Sequence, residues 1–362
     1  MKTFRFLLLA IAFHLLLIPF VVPQTCCTED IDMDSYPIYS TNPDFKSQYG
    51  YFLPANGIIR ILIAFVEVEY TTPGIDPQPN GTTNWPAHSL PTWADDLLEP
   101  NIPTGLSSKK ITNYFQLASS NNFIVLGDYL VAPDNGGILK VVSNAVNINL
   151  VTPSCNSSLI EQAINQINQK LGTNIVTAHG VNSVSDYDLW TITGLYEQKI
   201  TPSIDNPPCI DHVMFIWRNT KWNNTGMSCF SPINNFLGNK VASYCSFGTH
   251  EHIPTEIMRH EFGHQIFGDN SFHCAGGGSQ MNYWIPMTGG WSAMGLANSS
   301  LLCWNAWDRQ RFNWKGTGNI YTISARDMMG NEVNGDLDIN NPNDAGVFIL
   351  RDFVTTGDAI RI

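Results

Sequence analysis

The most regular hydrophobic pattern in the chain is residues 57–70, GIIRILIAFVEVEY. Its first half is apolar apart from Arg60. In its second half Val66, Val68 and Tyr70 alternate with Glu67 and Glu69. An apolar run passing into a period of two predicts a buried strand whose far end reaches solvent. The Pro- and Gly-rich residues 72–91 predict a long surface loop. A helix is expected over 108–119, presenting Ile111, Tyr114, Phe115 and Leu117, and then a strand over 123–131 after an Asn-Asn turn. Residues 159–171 place Ile160, Ala163, Ile164, Ile167 and Leu171 at helical spacing. Residues 211–217, DHVMFIW, read as a second buried strand, and 218–252 as a loop-rich interval. Helical spacing resumes at 301–312, and short strand-like runs (TIS, VFILRDFV, AIRI) follow position 321. Strands and helices alternating ahead of 253 suggest an α/β or α+β upper half.

The stretch from His260 to His273, HEFGHQIFGDNSFH, departs from these patterns. Met258, Phe262 and Ile266 fall on one side of a helix there, and Ile253, Ile257 and Phe267 flank the other, so the helix is expected to be buried nearly all round. Thr255 after Pro254 is the expected cap and Gly268 the expected stop. His260 and His264 share one face, four residues apart, with Glu261 on its flank. Burying two imidazoles and a carboxylate is costly unless something binds them. The spacing is the HExxH arrangement of zinc hydrolases, in which two histidines hold the ion and the glutamate serves a bound water. A third ligand is required. His273 is the first choice, presented by a chain reversal, and Asp269 is the runner-up. Asn270 stands where the extended HExxHxxGxxH pattern has its last histidine, and Phe267 where it has glycine. His250, His252 and Tyr283 lie nearby in sequence and are expected to be structural.

Composition changes the picture in three ways. Lys2 and Arg5 precede an apolar run over residues 6–22, so residues 1–24 read as a cleaved export signal and the protein as secreted. That run is short for a membrane span, and no comparable one follows, so stable membrane insertion is not expected. The net charge of −12 argues against nucleic acid as a partner. All eight cysteines (Cys26, Cys27, Cys155, Cys209, Cys229, Cys245, Cys274 and Cys303) lie beyond the signal, and an even count in an exported chain predicts disulfides. Asn80, Asn156, Asn223 and Asn298 occupy glycosylation sequons, expected on surface loops. The DLDINNPND run, 336–344, fails the calcium-loop pattern because Asn341 and Val347 replace its glycine and glutamate; calcium elsewhere stays open as a second cation.

RHEFGHQIFG, the GGWSAMG run about thirty residues later, and the CWNAWDRQRFNW segment together resemble the secreted zinc metallopeptidases of the immune inhibitor A type. Weaker similarity reaches back to ITNYFQLASSNNF and the first strand, covering roughly residues 57–315. The resemblance implies an α+β, zincin-like fold: a mixed sheet with helices above a zinc cleft, an active-site helix and a smaller irregular lower subdomain. It implies Zn²⁺, a protein or peptide substrate, and Met294 as the methionine of a tight turn beneath the metal, against plain core packing. The organisation expected is a signal (1–24), a leader or short pro-segment (25–56), a catalytic domain (57–315), and the start of a β-rich domain (316–362) in a truncated chain. A non-catalytic binding or adhesion protein on the same scaffold is the alternative.

Overall fold

A computed structural model describes residues 52–192, 200–249, 251–267, 294 and 304–362. The expected signal, all but the last residues of the leader, and Cys26, Cys27, Cys274, Cys303 and Asn298 therefore lie outside the described residues.

The chain is mixed α/β, built on a mostly parallel seven-stranded sheet. Its spine is β1 (Gly57–Tyr70), whose length lets it pair with two strands along one edge. Its first half runs parallel to β2 (Phe123–Tyr129) and its second half parallel to β3 (Leu139–Ser143). On the other side lies β6 (Cys209–Arg218), parallel to β1 and to β9 (Asn239–Gly248). Two short strands, β7 (Thr225–Cys229) and β8 (Ile233–Phe236), close the far edge antiparallel to β9. Two further pairs, β4 (Thr191–Ile192) with β5 (Ile200–Thr201) and β10 (Ser324–Arg326) with β11 (Glu332–Asn334), stand outside this sheet.

Period-two alternation sorts the side chains of β1. Ile59, Ile61, Ile63 and Phe65 enter one core, with α1 (Lys110–Ala118), α3 (Thr255–Phe267) and the aromatic residues around α4 (Ala306–Arg311). Leu62, Ala64, Val66 and Val68 enter the other, against α2 (Ser158–Leu171). Cover on both faces explains why β1 and β6 read as nearly continuous apolar runs. Ser157 caps α2 by accepting from the Ile160 N–H, and the spaced Ile160, Ala163, Ile167 and Leu171 are buried as expected.

Three expectations are corrected. Residues 218–252 are not loop-rich: they hold β7, β8 and the interior strand β9. The far end of β1 is partly exposed at Glu69 and Tyr70, but Glu67 does not face solvent: it is buried and ion-paired with the buried Arg218. The VFILRDFV run forms no strand beyond an isolated bridge at Ile349; Val347, Leu350 and Val354 are exposed, and the four-residue α5 (Phe353–Thr356) takes its end. The expected acidic turn at 336–344 does form: Asp344 accepts from the Asp338 N–H, and Asp336 binds the Arg361 guanidinium at 2.6 Å.

Of the cysteines described, Cys155 and Cys229 form a disulfide that ties the approach to α2 to β7. Cys209 and Cys245 are buried free thiols, so the even count does not translate into complete pairing. The sequons at Asn80, Asn156 and Asn223 are exposed, as expected of surface loops. No helix among the described residues is long and apolar enough to cross a membrane.

Candidate metal centre

The helix α3 begins one residue earlier than its capping pattern suggests: Thr255 is its first residue, and the Pro254 carbonyl accepts the first helical bond, from the Met258 N–H. Apolar residues around its circumference explain its burial. Met258, Phe262 and Ile266 are fully enclosed, and Ile257 nearly so. Phe262 packs at 5.4 Å against Phe115 of α1, stacks on Phe123 of β2, and lies 5.3 Å from the His212 ring on β6.

Two glycines let this helix approach its neighbours. A Cβ on Gly226 of β7 would run into Ile257 and come within 2.8 Å of the Glu261 Cγ. The edge strand therefore lies directly against the base of the Glu261 side chain. On the opposite side, a Cβ on Gly263 would collide with the Met294 sulfur and reach within 3.2 Å of the Trp304 indole. Met294 is fully buried there. It is thus packed on α3 at Gly263, the residue before His264, which is compatible with the turn-methionine reading and with plain packing alike. Gln265 adds a polar tether, its Nε2 donating to Ser228 Oγ at 2.6 Å on β7.

The three candidate side chains are buried, and the two imidazoles meet. His260, Glu261 and His264 are 1%, 2% and 0% exposed. The Nε2 atoms of the two histidines lie 3.2 Å apart, with the rings nearly perpendicular. Two zinc–nitrogen bonds of about 2.0–2.1 Å at a tetrahedral angle span a nitrogen–nitrogen distance of about 3.3 Å. The pair therefore fits one shared ion. Cys245 of β9 sits close enough to feel the Glu261 charge: burial first, and that charge second, push its thiol well above the ordinary range, so it stays protonated.

His273 and Asp269, with Asn270, Tyr283 and His250, lie outside the described residues. Among the described residues no group of three or more His, Cys, Asp and Glu side chains could hold a metal. His252 is exposed on a bend, 3.9 Å from its neighbour Glu251.

Sequence reasoning missed Gly226, Gly263, Gln265 and His212. For the glycines the only signal is contact across the fold, which spacing cannot carry. His212 is fully buried beneath Phe262, its Nδ1 2.7 Å from Ser243 Oγ. Burial pushes this imidazole down to about 3. The folded chain therefore leaves His212 neutral at a pH where the unfolded chain, near 6.5, already binds a proton. Between those values the unfolded state holds more protons, so stability falls as the pH falls. Asp211, pushed well above its usual range by burial, acts in the opposite sense. The His212 contribution is isolated by subtraction: below pH 6 the wild type should lose about 1.4 kcal/mol per pH unit relative to His212→Asn in denaturant titrations.

No protein-family model and no curated protein matches this chain.

Proposed function

We propose that the protein is an exported zinc-dependent endopeptidase acting on protein or peptide substrates, with His260 and His264 as two metal ligands, His273 as the third, and Glu261 as general base. The observation that carries this reading is the 3.2 Å approach of two buried imidazole nitrogens, with a buried carboxylate on the adjoining residue. The resemblance of RHEFGHQIFG, GGWSAMG and CWNAWDRQRFNW to the immune inhibitor A type supports the same chemistry, as does the zincin-like arrangement it implies.

A bound zinc would supply Lewis acidity and lower the pKa of a coordinated water to about 7. The chain's own residues do the rest. His260 and His264 are themselves enclosed, which limits how far their rings can turn. The Glu261 carboxylate accepts a proton from the attacking water and delivers it to the leaving amine nitrogen. Gly226 sets the depth at which that carboxylate sits. An edge strand beside the helix offers backbone groups with which an extended peptide can pair.

The test is hydrolysis of an unfolded protein such as casein by the purified chain. Activity should vanish on treatment with a chelator and return when zinc is restored. Hydrolysis that survives full metal removal would overturn the metal role. A zinc-loaded protein without hydrolysis would point instead to the non-catalytic scaffold.

A further inference from the structure

Outside the histidine site, the feature that most asks for a ligand is a cavity of about 530 Å³ between α1, the first turn of α3, Arg309 of α4 and Val354 of α5. Its volume falls within the range of small-molecule sites. Three cations line it, Lys110, Arg259 and Arg309, against one acid, the exposed Glu256. This local excess of positive charge occurs in a chain whose net charge is −12, and it favours an anionic ligand at this cavity.

The two guanidinium groups are held in place. Arg309 is 3% exposed; it donates to the Phe353 carbonyl at 3.2 Å and to Ser120 Oγ at 2.6 Å, and lies 5.1 Å over the Phe353 ring. Arg259 lies 4.5 Å over the Tyr114 ring, its Nε donating to the Thr255 carbonyl. The start of α1 adds to the same field. Its cap residue Lys109 makes no side-chain capping bond, its first turn carries no acid, and its first residue is the cationic Lys110. A cation at the positive end of a helix is unfavourable alone and becomes favourable with an anion beside it. Tyr114, Leu117, Ala118 and Val354 give the cavity an apolar wall, beside the neutral polar Ser108, Asn113 and Thr255. A fully hydrated inorganic anion would leave that wall unused.

We propose that this cavity binds a monocarboxylate with an apolar tail, its head between Arg259 and Lys110 and its tail along Leu117 and Val354. The site is separate from the histidine pair and does not depend on the peptidase reading.

The test is calorimetric titration of the full chain with decanoate below its micellar range, alongside decanamide and acetate. Decanoate should saturate at one per chain and bind at least tenfold more tightly than either control. Arg259→Gln should weaken it about tenfold, the usual consequence of losing a charge-assisted hydrogen bond. Val354→Asp, at an exposed position, should weaken it with no change in fold by circular dichroism. Absence of saturable binding overturns the proposal. Decanamide binding as well as decanoate removes the anionic head, and acetate binding as well removes the tail. Undiminished decanoate binding by a folded Arg259→Gln protein places the ligand elsewhere and also overturns it.

Discussion

Glu261→Gln should keep the metal content of the wild type while lowering turnover of a peptide substrate by about 10²–10⁴-fold, the usual contribution of a positioned general base. Glutamine has the same shape and length, and the site demands that. The Glu261 side chain is enclosed, with the Gly226 position against its Cγ. An alanine there would leave a cavity beside the histidines, confounding loss of the base with a shift of the ligands. The isosteric change removes only the capacity to take a proton. Because a buried charge disappears, thermal stability should not fall. Zinc per chain, turnover at saturating substrate and melting temperature, measured on one preparation, separate these effects. Turnover near the wild-type level with full metal occupancy would remove Glu261 from the mechanism.

Arg218→Met should destabilise the fold by about 3–5 kcal/mol, the cost of leaving one member of a buried ion pair without its partner. Glu67 and Arg218 are 2% and 1% exposed, opposite each other in register on adjacent strands. Arg218 also donates to the Gln78 carbonyl at 3.0 Å and the Trp85 carbonyl at 3.3 Å, so one guanidinium fastens the 72–91 loop to the sheet. Gly81 makes room for it, since a Cβ there would come within 2.7 Å of Nη2. The carboxylate receives further bonds from the His88 backbone N–H and Nδ1. Combining Glu67→Gln with Arg218→Met removes both charges and should recover part of the loss, so the two changes should be non-additive in a double-mutant cycle of denaturant midpoints. Additive losses would mean that the pair contributes through packing alone.

The elements best legible in the sequence were those whose pattern had one cause. The nearly continuous apolar runs of β1 and β6 follow from helices on both faces, and the spacing in α2 follows from a single buried stripe. The strand β9 stayed hidden because its interior carries serines: Ser243 lies against His212, and Ser246 donates to the Pro153 carbonyl and accepts from the Trp217 indole. Those polar letters mimic a loop when their partners are unknown. Glu67 misled for the converse reason, since alternation marks it as solvent-facing while Arg218, distant in sequence, compensates its burial. At the candidate site, the spacing of His260, Glu261 and His264 was sufficient to place them together on a buried helix. The glycines that admit β7 and Met294 to that helix were not legible, because a missing side chain has meaning only beside the atom that fills its space.

The most direct test of the account is anomalous diffraction at the zinc edge from crystals of the full chain grown with the metal. The account predicts one peak within bonding distance of Nε2 of both His260 and His264, a third protein ligand at His273, and an open fourth position beside the Glu261 carboxylate. A fully ordered site with no peak, and with the two imidazoles hydrogen-bonded to each other, would contradict it.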